Sequence, residues 1–574
     1  MKKIILIITF LISFQTITAQ KKIKLNIKGN TEISTEEYRN LIKPETLNLN
    51  DSNKVQSLKK TILEHLKEQG FYNSVIGKVT IDTTKIKKTV KISFNISEGN
   101  KTTVQNIFIL PKNKTDSLLY KQYFEQLKGK VFYQNSLQNQ IEQSLQYLEN
   151  KGFPFSSIKI SSLNFGIDND SNNVVDIYLN VKKNKLSKID KVEIKGNTKT
   201  KSDVILNTIR LQKGELYSQK KLNEIPILLN KLRFFEPVDK PKYYFNSKDE
   251  GILQITVKEK STNNFDGILG YIPPTKNNEK GYFTGFVNIS LRNILGTGRA
   301  AGIKWQKENS ESQELQLKYL EPWLFNFPFN MNLYLYQRKQ DSTFVLRRYG
   351  GSLEYLATEN ITASLIGESE SVIPAIGITT VKSSTSLNTG FQLRLDYRDD
   401  ILVPQSGIYF SSLYKLKSKK NNETPDKATF QQYELDFSIY YSLFRNQIAA
   451  FSIHAKEILG DSFEESDYFR LGGTNSLRGY REQQFLGNRI LWSNLEYRFL
   501  LSQTSYLFIL YDAGYFLRNE NKELEIAKVS DYKSAYGVGL SIDTALGIMR
   551  ISYALANGNS FSDGLIHFGL LNEF

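Results

Sequence analysis

Hydrophobic and polar residues alternate differently in the two halves of this 574-residue chain. From Asn264 onward, runs of about 9–12 residues alternate apolar and polar with a period of two. Gly, Asn, Asp and Ser clusters separate them, and residues 283–290, 315–320, 332–336, 391–397 and 491–499 are clear cases. A period of two sends successive side chains to opposite faces of a strand. About 16 such runs, with aromatic residues near their ends, predict an all-β transmembrane antiparallel barrel over 261–574.

Before residue 260 the pattern mixes alternating and helical segments, and it repeats. Ile27-Lys28-Gly29-Asn30-Thr31 returns as Ile194-Lys195-Gly196-Asn197-Thr198. Leu66-Lys67-Glu68-Gln69-Gly70-Phe71-Tyr72 returns as Leu148-Glu149-Asn150-Lys151-Gly152-Phe153-Pro154, and more loosely as Leu232-Arg233-Phe234-Phe235-Glu236-Pro237. Each helical pattern stops near such a turn and a strand follows. The predicted units are 22–99, 101–184 and 186–260, each α+β in strand–helix–helix–strand–strand order. The middle unit has Leu110-Pro111-Lys112-Asn113 where the others have Gly-Asn-Thr.

Residues 1–19 have a basic start, a short apolar core and Thr18-Ala19 at the end, which predicts an export signal. The core is too short for a membrane-spanning helix. The chain has no cysteine, so a disulfide framework is excluded. Residues 20–260 carry 42 Lys and Arg against 26 Asp and Glu, and residues 261–574 carry 31 against 33. The basic character lies in the repeating half. For an exported chain this excludes nucleic acid as the expected partner and favours an anionic membrane surface or acidic protein segments.

Between two amphipathic runs lies Phe469-Arg470-Leu471-Gly472-Gly473-Thr474-Asn475-Ser476-Leu477-Arg478-Gly479-Tyr480. Its Leu-Arg-Gly-Tyr end resembles a loop motif of the BamA/TamA family of outer-membrane assembly factors. Three further stretches are similar to barrel turns of that family: Asn293-Ile294-Leu295-Gly296-Thr297-Gly298, Tyr319-Leu320-Glu321-Pro322-Trp323, and Leu395-Asp396-Tyr397-Arg398-Asp399-Asp400. The three repeating units resemble its periplasmic POTRA modules, in a layout closest to TamA. The resemblance implies that the loop folds back into the barrel and that carboxylates on the inner wall hold Arg478, with Gly479 and Tyr480 beside it. Parity agrees. Asn494, Glu496 and Arg498 share the lumen parity of their run, and Asp512 sits among apolar residues where a lipid-facing carboxylate would be costly. Arginine's planar fork suits a pair of carboxylates such as Glu496 and Asp512.

The first and last runs define a seam. Residues 264–272 contain Gly267 and Gly270 and meet Pro273-Pro274, and both residue types weaken a ladder. The last run places Phe568, Leu570 and Phe574 on one parity, with Asn572 interrupting near the end. Phe574 resembles the carboxy-terminal recognition residue of outer-membrane proteins. The family resemblance implies a seam that opens sideways to template client strands. The implied partners are unfolded outer-membrane proteins, outer-membrane lipid and an accessory or periplasm-spanning assembly protein. The implied location is the Gram-negative outer membrane, with the modules in the periplasm. A two-partner secretion transporter is the alternative within the family, and a passive porin or receptor the alternative outside it. No enzyme activity, metal or cofactor is expected. His65, His454 and His567 are too dispersed for a metal cluster, and no Gly-x-Ser-x-Gly elbow occurs.

Overall fold

The computed structural model describes residues 22–42, 52–84, 89–110, 121–273, 281–307, 311–378, 381–461, 463–522, 526–544 and 547–571. The predicted signal at 1–19, Pro274, Asn572 and Phe574 lie outside these residues, as does the side chain of Leu570. The chain divides into two compact units. The first is Met1–Lys188 with Leu216–Gln219, and the second is Ile189–Glu215 with Lys220–Phe574.

The first unit holds two small sheets of the same topology. Lys22–Lys28 runs parallel to Thr89–Ser97, which pairs antiparallel with Thr80–Thr84. Helices Thr35–Ile42 and Ser52–Glu68 contribute Tyr38, Ile62 and Leu66 to a core shared with Leu25, Ile92 and Phe94. Thr103–Leu110 likewise runs parallel to Asn173–Lys182, and Ser157–Ile167 pairs antiparallel on its other side. Here Phe124, Phe132, Leu137 and Leu148 pack on Val175, Ile177 and Leu179.

The second unit begins with a third copy. Lys191–Lys195 is parallel to Gly251–Thr256, and Lys242–Phe245 is antiparallel to it. Two turns recur because their backbone demands them. Gly29 and Gly196 take φ of 83° and 91°, and a Cβ on either would strike a carbonyl, Ile96 O or Val257 O. Two residues beyond the long helices, Gly70 and Gly152 take left-handed φ of 93° and 94°. Arg233 occupies the equivalent position at 60°, a conformation that disfavours side chains.

The rest of the second unit is a 16-stranded antiparallel barrel sheet in which each strand pairs with its chain neighbour. Its strands are β1 Asn264–Ile272, β2 Tyr282–Ile294, β3 Arg299–Lys307, β4 Gln313–Glu321, β5 Phe329–Gln340 and β6 Phe344–Leu356. They continue as β7 Ile361–Pro374, β8 Ser384–Asp396, β9 Gly407–Asn421, β10 Lys427–Phe444 and β11 Gln447–Leu459. The last five are β12 Arg489–Leu500, β13 Tyr506–Arg518, β14 Val529–Thr544, β15 Gly547–Ala556 and β16 Leu565–Leu571. One parity is apolar and exposed, as in Phe265, Leu269, Leu365, Leu387, Tyr441 and Ile509. The other is polar and buried, as in Ser290, Glu354, Glu368, Asn388 and Lys417. That inversion of the usual globular pattern is the mark of a lipid-facing wall around a polar lumen. Several strands exceed the 9–12 residues that the alternation predicts. β10 has 18 residues, so at about 3.3 Å per residue it outreaches the bilayer. No helix among the described residues is long and apolar enough to cross a membrane.

Candidate functional site

The connection from β11 to β12, residues 460–488, folds into the lumen. A short hairpin, Phe469–Leu471 against Phe485–Gly487, forms its stem. Gly472, Gly473 and Gly479 take positive φ, and the Gly473 amide donates to Leu477 O. Leu471 and Leu477 are fully buried against Ile490, Trp492 and Phe516. This apolar plug fixes the turn that presents Arg478.

Arg478 is only 4% exposed. Its backbone amide and Nε donate to Asp512 Oδ2 at 3.0 and 2.7 Å, and Nη2 donates to Oδ1 at 2.7 Å. Nη1 donates to Glu496 Oε1 at 2.6 Å. Asp512 also accepts from Asn494 Nδ2, which bonds Ser476 O as well. Glu496 is shared: Arg498 Nε reaches its Oε2 at 2.9 Å, and Arg550 on β15 pairs with Oε1. Tyr480 OH donates to Ser534 O on β14 at 3.0 Å. Gly479 leaves no room for a side chain, since a Cβ there would lie 2.9 Å from Ala535 Cβ. The structure therefore brings together all five loop and wall residues singled out in the sequence.

A second anchor had no sequence signal. The 3₁₀ turn Glu465–Asp467 places Asp467 between Lys417 Nζ at 2.9 Å and Lys419 Nζ at 2.8 Å, both on β9. Lys417 also reaches Glu370 on β7 at 2.7 Å, and Glu464 pairs with Lys419. The loop is thus held at two separate parts of the wall.

Seam residues sit at the sheet ends. Gly267 shares the outward parity of Phe265, Leu269 and Tyr271, whereas Gly270 faces the other way. Phe568 projects outward and is half-exposed. Leu570 lies opposite Met549, one pair before the end of the β16 register at Leu571. Among the described residues no ladder joins β1 to β16.

The three turn motifs of the barrel all meet the third copy of the repeat. Gly296 O accepts the Lys201 amide at 2.8 Å, and Asn293 donates to Thr200 Oγ1 at 2.8 Å. The Arg210 guanidinium lies 5.5 Å over Trp323. Lys231 Nζ donates to Asp396 O, and Arg233 Nη1 reaches Asp400. A cavity of about 750 Å³ lies among these groups. The Gly-Asn-Thr turns have their own partners. Thr198, Lys199 and Thr200 donate to Glu259, and Thr31, Glu32 and Ile33 donate to Glu98. Burial pushes the Glu259 carboxyl up, but the amide and hydroxyl donors outweigh it and hold it at about 2. Glu98 is held below the usual carboxylate range by the same balance.

A lipid-facing barrel with a clasped lumen loop, preceded by repeated α+β modules, defines a modular β-barrel membrane protein. The chain belongs to the Omp85 superfamily: the Omp85 superfamily domain matches residues 293–574, and the POTRA surface antigen variable number repeat matches 23–99 and 187–260. It is similar to the outer membrane protein assembly factor BamA of Nitratidesulfovibrio vulgaris, 20% identical over 66% of this chain and 50% of the relative. It is also similar to BamA of Buchnera aphidicola, 24% identical over 51% of this chain and 48% of the relative. The chain therefore spans about half the length of these curated relatives. Among solved structures it resembles CdiB from Escherichia coli, with 12% identity, TM-score 0.48, and coverage of 91% of this chain and 98% of that one. It also resembles BamA from Haemophilus ducreyi lacking POTRA domains 1-3, with 16% identity, TM-score 0.45, and coverage of 81% and 98%.

Proposed function

We propose that this protein is an outer-membrane assembly or translocation factor that captures client strands with its amino-terminal modules and templates them at the β1–β16 seam. The observation that carries this reading is the buried clasp of Arg478 on Glu496 and Asp512. The clasp fixes the loop to the wall while, among the described residues, the facing edges of β1 and β16 carry no ladder, and a passive pore has no need of the repeated modules that precede it. The curated relatives named as assembly factors support the same reading. Unpaired backbone at a sheet edge binds an extended segment largely without regard to its sequence, and it needs no cofactor or enzymatic step. The clients are unfolded outer-membrane proteins, the modules lie in the periplasm of a Gram-negative cell, and an accessory assembly protein docks on the modules.

Photo-crosslinkers at Leu269 on β1, Phe568 on β16 and Leu365 on β7 test this in cells producing a radiolabelled barrel client. All three positions are exposed on the outer wall. Client adducts are expected at Leu269 and Phe568 and not at Leu365. Absence of adducts at both seam positions, or equal capture at Leu365, overturns the seam assignment.

A further inference from the structure

Among the described residues β16 is held by a ladder on one side only: seven residue pairs join it to β15, from Ile548–Leu571 to Ala554–Leu565. On its inner face, however, the lumen loop touches it twice. His567 Nε2 accepts the Gly479 amide at 2.8 Å, and His567 is 6% exposed. A Cβ on Gly569 would come within 3.0 Å of Thr474 Cγ2, so the Thr474 side chain of the loop lies directly over this strand.

The bond fixes the state of the ring. An Nε2 that accepts an amide carries a lone pair, so the imidazole is neutral with its proton on Nδ1. Nδ1 faces Thr474 Oγ1 at 3.5 Å. The Thr474 hydroxyl donates onward to Glu482 Oε1 at 2.6 Å, which leaves its lone pairs toward the ring. The chain of bonds is consistent from Glu482 through Thr474 and His567 to Gly479. Gly479 directly follows Arg478, so this contact and the Asp512 clasp are made by adjacent residues.

We propose that His567 is the positioning residue that ties the last strand of the barrel to the lumen loop, so that release of the loop and freedom of the β16 edge are one event. This rests on the seam reading above. The partner of His567 is a backbone amide whose place is set by the Arg478 clasp. A strand with neighbours on both sides gains little from such a tie, whereas a strand held on one side gains a second support. The charged groups facing the ring are Arg478 and Glu482 from the loop and Asp512 from β13. Arg478 is already neutralised by two carboxylates. Protonating His567 would turn Nε2 from acceptor to donor, opposing the Gly479 N–H and breaking the tie.

Hydrogen–deuterium exchange on the purified, folded full chain in lipid nanodiscs tests this without any client. His567→Ala is expected to raise exchange of the 565–571 amides more than tenfold and leave β6 and β7 unchanged. His567→Gln, whose Oε1 can take the place of Nε2 as acceptor, is expected to return it to near the wild-type rate. An alanine variant within twofold of wild type overturns the proposal, as does a glutamine variant as fast as alanine. A glutamine variant that exchanges at 565–571 more than tenfold faster than wild type overturns it even if the alanine variant fails to fold. Because no client is present, these outcomes stand apart from the crosslinking test, whose failure would remove the seam function and not this contact.

Discussion

Asp512 and Glu496 both hold Arg478, but they do not depend on it equally. Asp512 is completely buried and accepts three bonds from Arg478 and one from Asn494. Glu496 keeps Arg498 and Arg550 whatever happens to Arg478. Removing one partner of a buried ion pair costs about 3–5 kcal/mol, chiefly because the other charge is left uncompensated. Arg478→Ala is therefore expected to lower barrel stability by that amount, with Asp512 as the orphan. Adding Asp512→Asn should recover about 1–2 kcal/mol, since it removes the stranded charge. Adding Glu496→Gln should recover nothing. Heat-dependent gel mobility of the folded barrel reads all three, and equal rescue by the two second substitutions would show that the carboxylates share the load.

At the scale of the element, the repeated Gly-Asn-Thr turn is a carboxylate-binding corner. In the third copy the amides of Thr198, Lys199 and Thr200 converge on Glu259, which follows the last strand of the module. The turn thereby locks the start of one helix to the end of the sheet. Its folded-state carboxyl lies at about 2 against an ordinary 4.5. A depressed carboxyl stabilises the fold fully above its unfolded value and loses that contribution as pH falls toward the folded one. Glu259→Gln should thus weaken the third module at pH 7 by about 0.5–2 kcal/mol, the range for losing a helix-capping acceptor. The gap to wild type should close between pH 4.5 and 2. Exchange rates of peptides from 186–260 measure this, and a gap unchanged at pH 2 would assign the effect to something other than the charge.

At the scale of the whole molecule, the third module is joined to the barrel by hydrogen bonds, an ion pair and a cation–π contact at three of its turns. Arg233 shows what that junction demands. It holds a left-handed φ where the other copies have glycine, and it reaches Asp400 with its guanidinium. Deleting 22–184 is expected to reduce client insertion into liposomes while leaving a folded barrel. Deleting 186–260 should abolish insertion, because the turns at Gly296, Trp323 and Asp396 lose their partner. Equal activity of the two shortened proteins would show that position along the arm does not matter.

What the sequence settled by itself follows from periodicity. A period of two assigns every barrel residue to lipid or lumen once one charged position is known, so Glu496 and Asp512 could be placed inside from parity alone. Repeated turns that need a left-handed glycine expose the modules in the same way. The tertiary structure decided the contacts that obey no period. Asp467 meets Lys417 and Lys419 about fifty residues away because a short 3₁₀ turn swings it across the lumen to β9. Arg550 joins Glu496 from a strand three places along the sheet. His567 read in the sequence as one of three scattered histidines, and only the path of the loop shows its ring under the Gly479 amide. Alternation fixes which face a side chain takes. It carries no information about which residue of a distant, irregular loop will arrive there, because that depends on the curvature of the wall and the conformation of the loop together.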